Sequence, residues 1–179
     1  MKHTILIRCD SYSGSGMGHL KRCSVLADEL KKLGFSVVFA LDENSSPMPI
    51  DLNFPVHRLS GPFNDILDAK VIQTLAKSLG SKIILGDSYR ISREWVAILR
   101  SSGFIVILID EIGIGDETML RIDYSLIPKK TKGSSISLLG PAYFITDSPR
   151  LRSHSSPPRR IIAHAGGTGN FFAAAKVSD

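Results

Sequence analysis

The apolar residues of this chain follow two alternating patterns. Short, nearly continuous runs rich in β-branched residues predict buried strands at residues 3–9, 35–41, 56–59, 82–86 and 104–109, with weaker ones at 123–128 and 137–139. Between the first two, apolar residues return at helical spacing. Leu20, Cys23, Ala27, Leu30 and Leu33 define one face of a helix over 19–33, with Lys21, Asp28, Lys31 and Lys32 among the outward positions and Gly34 placed as its cap. A second helix is predicted from about residue 64 to 79, and Ser92 is positioned to cap a third whose Trp95, Ile98 and Leu99 face inward. Strands separated by helices imply parallel pairing. The expected architecture is a doubly wound, Rossmann-like α/β sheet.

Two stretches break the pattern. Residues 43–55 carry three prolines and two serines and read as an irregular loop over the sheet edge. Residues 147–158 turn abruptly to Ser, Pro and Arg, which predicts a linker between a domain at 1–146 and the start of another at 159–179. That last piece holds one apolar run and the glycine turn Gly166-Gly167-Thr168-Gly169-Asn170. A strand and a turn bury no core, so a second domain is expected to have only begun when the sequence ends, and little enzymatic activity is expected of these residues alone.

Composition narrows the function classes. A length of 179 residues supports one good core. No apolar run approaches the roughly 20 residues needed to cross a bilayer, and the start lacks a signal-peptide core, so a cytoplasmic location without membrane partners is expected. The formal charge is +5, but residues 149–179 hold five basic groups against one acid, leaving 17 basic and 16 acidic groups in the rest. No basic face for nucleic acid is implied. Cys9 and Cys23 lack metal or redox spacing and read as small core residues. His3, His57, His154 and His164 have neither a ligand spacing nor a nucleophile partner, and no metal or other cofactor is implied.

Candidate chemistry gathers between Arg8 and Cys23. Gly14, Gly16 and Gly18 join the first strand to the first helix and allow positive φ and a close backbone approach to a ligand. His19 falls in the first helical turn, where the macrodipole disfavours a positive ring and leaves a neutral imidazole able to take a proton. Asp10, Asp42, Asp87 and Asp110 each end a predicted strand, on the rim where open parallel sheets hold ligands. Asp10 is placed to orient the imidazole or a water, or to bond turn N–H groups. Asp87, Tyr89 and Asp110 fit structural and functional roles equally. Arg22, one turn beyond His19, is placed to pair with an acid or to reach substrate. Four acids on one rim repel a pyrophosphate, so this domain is expected to hold the sugar end of a substrate whose phosphates are neutralised elsewhere.

The string Arg8-x-Asp10-Ser11, then Gly16-x-Gly18-His19-x-x-Arg22-Cys23, resembles the amino-terminal signature of the hydrolases that remove UDP from UDP-2,4-diacetamido-2,4,6-trideoxy-β-L-altropyranose in pseudaminic acid biosynthesis, the PseG family. The wider group takes in SpsG-like proteins, and its architecture is similar to GT-B glycosyltransferases such as MurG. Asp87-x-Tyr89 with Trp95, Ile109-Asp110-Glu111 and Gly140-Pro141-x-Tyr143 also resemble family segments. The resemblance implies a UDP-sugar substrate, His19 as the base that activates water against the anomeric carbon, Asp10 beside it, and Gly16, Gly18, Arg22, Asp87, Tyr89 and Asp110 around the sugar. It also implies that Gly166, Gly167 and Thr168 belong to a nucleotide-binding turn. Two departures stand out: no arginine follows Tyr143 closely, and Gly169 occupies the place of the family's acid. A glycosyltransferase is the near alternative. An NAD-type dinucleotide domain is the distant one, because His19 replaces the third glycine of that fingerprint although Asp42 sits where a ribose-binding acid would.

Overall fold

Strand β1 (Thr4–Cys9) lies mid-sheet, and from its second residue on it is buried on both faces. The computed structural model describes residues 3–12, 14–43, 52–115, 118–129, 133 and 136–146. After β1 come α1 (Gly18–Lys32), β2 (Ser36–Asp42), β3 (Val56–Leu59), α2 (Asp65–Ser78), β4 (Ile83–Asp87) and α3 (Arg93–Ser101). Strands β5 (Ile105–Ile109), β6 (Leu120–Asp123) and β7 (Ile136–Leu139) follow, then a 3-10 turn at Pro141–Tyr143. All neighbouring strands pair in parallel, in the order β3-β2-β1-β4-β5-β6-β7. The doubly wound α/β architecture expected from the pattern is present. The order in which strands are added reverses between β1 and β4, the place where such sheets open a crevice.

The two-residue period of the strands divides the core. Ile5, Ile7 and Cys9 of β1, with Val37, Phe39 and Leu41 of β2 and Leu85 of β4, pack under Leu20, Cys23 and Ala27 of α1. Leu6, Val38, Ala40, Ile84, Val106 and Leu108 point the other way, against Ala69, Ile72 and Ala76 of α2 and Trp95, Val96 and Leu99 of α3. Each large apolar side chain removed from water contributes on the order of 1.5–3 kcal/mol. Both faces must be covered for the central strands to persist.

Local signals account for the helix ends. Asn64 and Ser92 cap α2 and α3, their side chains accepting the N–H groups of Leu67 and Trp95. Gly34 follows α1 at φ 91°, a conformation a side chain would strain. The strand expected at 123–128 is a correction. The strand is β6, Leu120–Asp123, and the chain turns directly after it. Asp123 draws the turn in: its carboxylate accepts the N–H and hydroxyl of Ser125 and the N–H of Lys129. Within the predicted loop 43–55, residues 44–51 lie outside the described residues, as do the linker 147–158 and the segment 159–179 with Gly166, Gly167 and Thr168.

Candidate active site

Because side chains alternate along a strand, the rim acids are divided between the two faces of the sheet. Asp87 closes β4 in the register of Ile83 and Leu85, so it stands on the α1 side. Asp42 closes β2 in the register of Val38 and Ala40, on the side of α2 and α3. Asp10 continues the register of Leu6 and Arg8 and faces the same way as Asp42. Asp110 shares a side with Arg121 and Asp123 of β6.

On the α1 side, His19 meets Asp87. Helix α1 begins without a side-chain cap, at Met17 and Gly18, and its first turn brings the His19 ring into the core edge with only 3% of the residue exposed. His19 Nδ1 lies 2.7 Å from Asp87 Oδ1 and 2.9 Å from Arg22 Nη2. The two partners make opposite demands on Nδ1, since a guanidinium only donates and a carboxylate only accepts; we assign the proton to Nδ1, donating to the nearer Asp87 oxygen, with Arg22 committed to the same carboxylate. Arg22 turns to the same carboxylate, donating Nε–H to Oδ2 at 2.6 Å and Nη2–H to Oδ1 at 2.5 Å. It also donates to Glu111 Oε1 at 3.0 Å and to the Tyr124 hydroxyl. Burial alone would raise the Asp87 pKa, but the hydrogen bonds from Arg22 and His19 outweigh it and hold the carboxyl below its ordinary range. Asp87 is therefore a fixed anion at the back of the ring.

Among the described residues nothing hydrogen-bonds to Nε2, and it is not one of the fully enclosed polar atoms left without a partner. Tyr89 packs its ring edge-on against the imidazole, centroids 4.7 Å apart at 79°, and its hydroxyl donates to Glu111 Oε2 at 3.2 Å. An imidazole with Nδ1–H tied to a carboxylate and Nε2 unshielded by any donor is the arrangement of a general base held in one tautomer.

The remaining predicted residues fall in other places. Asp10 does not touch His19. One of its oxygens is held by Arg90 at 3.0 and 2.5 Å, while Oδ2 has no partner. Asp110 is spent on structure: it accepts the N–H groups of Ile112, Gly113, Ile114 and Gly115 and the Arg121 guanidinium. Of the three loop glycines only Gly16 adopts positive φ, 67°. At Gly14 a Cβ would stand 2.9 Å from the Tyr12 ring, and at Gly18 it would meet open space. Cys9 and Cys23 are fully buried free thiols in the core, and burial pushes the Cys23 thiol up. No group of three or more His, Cys, Asp or Glu side chains among the described residues is arranged to hold a metal ion.

Arg22 pairs with an acid, as expected, whereas the sequence expectations leave out Arg8, Arg90 and Arg121 as partners of the rim acids. Each rim acid has an arginine: Asp87 has Arg22, Asp10 has Arg90, Asp42 has Arg8 and Arg90, Asp110 has Arg121. The rim is not a row of bare negative charges, which corrects the expectation of simple repulsion. One signal was present. Arg8 interrupts an otherwise apolar strand, and a charge in a buried strand needs a partner.

No protein-family model and no curated protein matches this sequence. Among solved structures, MurG of Acinetobacter baumannii superposes with a TM-score of 0.57 at 13% sequence identity, over 77% of this chain and 45% of MurG. The chain thus spans less than half the length of that solved protein. No helix among the described residues is long and apolar enough to cross a membrane. What the superposition establishes is the fold: a Rossmann-like α/β domain of the kind found in MurG.

Proposed function

We propose that this chain is the sugar-holding, base-bearing part of an enzyme that hydrolyses a UDP-linked amino-deoxy sugar to free sugar and UDP. The observation that carries the reading is the His19–Asp87 pair on the carboxyl rim, with Nε2 receiving no hydrogen bond among the described residues. In the proposed reaction a water oxygen attacks the anomeric carbon as His19 Nε2 takes the water's proton. The bond between that carbon and the phosphate oxygen breaks, and UDP departs with the electron pair. Asp87, bonded to Nδ1–H, stabilises the imidazolium formed in that step. The sugar end is assigned here because the proposed base stands here: the reacting anomeric carbon must lie within reach of His19.

The fold likeness to MurG favours a second reading within the same site. A base that deprotonates water also deprotonates a sugar hydroxyl, which makes the chain part of a glycosyltransferase. Saturation-transfer NMR with UDP-N-acetylglucosamine tests the shared claim: sugar-ring protons are expected to receive more saturation than uracil protons. Uracil-dominated transfer, or none, overturns it. Free sugar and UDP formed without an acceptor then select hydrolysis, whereas UDP release only with an acceptor hydroxyl selects transfer.

A further inference from the structure

The glycine loop that leads into His19 is attached to the rim through a side chain outside the motif. Arg90 leaves β4 three residues after Asp87 and donates Nε–H and Nη2–H to Asp10 Oδ1. Its Nη2 also reaches Asp42 Oδ1 and Oδ2 at 3.0 and 2.9 Å. The guanidinium carbon lies 4.2 Å from the centroid of Tyr12, on the glycine loop, and 4.2 Å from that of Phe63, ahead of α2. One planar cation thus lies over two aromatic rings and bonds two carboxylates, tying together the end of β2 and the segments after β1, β3 and β4.

The side chains that open the loop contribute little of their own. Asp10 Oδ2 and Ser11 Oγ are enclosed without a partner, and the Ser11 N–H reaches Asp42 only at 3.4 Å. Tyr12 in turn packs against Gly14, where a Cβ would stand 2.9 Å from its ring. The order of contact runs from Arg90 to Tyr12 to the backbone of the loop, and from there to the start of α1.

We propose that Arg90 is a positioning residue: its guanidinium, lying over both Tyr12 and Phe63 and bonded to Asp10 and Asp42, fixes the glycine loop and so the start of α1 that carries His19. Stacking on two rings needs a flat, delocalised cation, and bonding Asp10 and Asp42 together needs its fork of donors, so lysine is a poor substitute. The consequence for chemistry rests on the UDP-sugar reading; the consequence for loop order does not.

Hydrogen exchange on the 179-residue chain tests it. In Arg90→Ala the hydrogen-bonded amides of Ser11 and Ser15 are expected to exchange at least about tenfold faster than in wild type, while Trp95 keeps its buried emission. Arg90→Lys is expected to exchange nearly as fast as the alanine variant. Millimolar guanidinium added to Arg90→Ala restores protection by refilling the site, whereas urea at the same concentration, planar but uncharged, does not. A merely structural loss would not respond to the added cation. Wild-type exchange in folded Arg90→Ala, or no response to guanidinium, overturns the proposal. If Arg90→Ala does not fold, Tyr12→Ala replaces it; faster exchange supports the proposal and unchanged exchange overturns it. Sugar-proton saturation from UDP-N-acetylglucosamine, read in parallel, separates the two claims. Its absence in wild type refutes the UDP-sugar reading while the exchange data still decide the role of Arg90.

Discussion

Two charge clusters stand on opposite faces of the same sheet rim, and they are built differently. On the α2 and α3 side, Asp68, Arg8, Asp42, Arg90 and Asp10 alternate in sign along a continuous chain of bonds, anchored at one end by the Trp95 indole N–H on Asp68. Every member is an arginine or a carboxylate. On the α1 side, Arg22, Asp87 and Glu111 surround a histidine, and among the described residues one of its nitrogens receives no hydrogen bond. The first cluster holds strands and loops in place. The second holds a group able to exchange a proton. Buried ionic groups at the same edge therefore divide by whether a titratable ring is left with a free lone pair.

That contrast fails most visibly if the two clusters respond alike to substitution. Arg8 is fully buried and compensates Asp42 and Asp68, so Arg8→Met is expected to cost roughly 3 kcal/mol or more of stability in urea unfolding. A loss below about 1 kcal/mol would place the Arg8 cluster among ornamental ion pairs. His19→Asn is the opposite case. Its amide N–H reproduces the Nδ1 bond to Asp87 while the Nε2 lone pair is gone. Stability is expected within about 1 kcal/mol of wild type, and, when the chain is assayed joined to a nucleotide-binding domain, the rate of UDP release lower by about 10²–10⁴-fold.

Acid sharpens the comparison further. Asp87 and Asp42 both hold folded-state pKa values below the ordinary carboxylate value: burial opposes this, but bonds from Arg22 and His19 prevail at Asp87, and the charge of Arg8 prevails at Asp42. Stability from a depressed carboxyl is complete above its unfolded value of about 4 and is lost as pH falls through the lower folded value. The urea midpoint should therefore stay level from pH 7 to about 5 and drop below about 4. In Asp87→Asn the drop should be shallower; an unchanged slope would remove Asp87 from the account. The smallest effect belongs to Glu29 and Lys32, an exposed pair far from either cluster. Lys32→Ala should leave the urea midpoint within scatter.

Much of the fold was legible because the central strands carry nearly continuous apolar runs and each helix carries a signal at one end. Asn64, Ser92 and Gly34 mark real boundaries. The misplaced β6 shows the limit. Its inward positions are Arg121 and Asp123, buried and paired, so its polarity hides a strand that is nonetheless inside. The site was legible in type and not in pairing. All four rim acids were identified, yet Asp10 was set beside His19, whereas the period of two puts it on the other face and leaves Asp87 to the ring. That arithmetic was available from the sequence. The pairings of Arg22 with Asp87, 65 residues apart, and of Arg90 with Asp10, 80 residues apart, were not. No local pattern says which long side chain reaches which strand end.

The account stands on one proton. With the histidines labelled in ¹⁵N, two-bond correlation spectra recorded where the His19 ring is neutral, and assigned by comparison with His19→Asn, report which ring nitrogen carries it. The proposed reaction requires the proton on Nδ1, bonded to Asp87, and a pyridine-like Nε2. A neutral His19 protonated on Nε2 would leave no base where the reaction needs one.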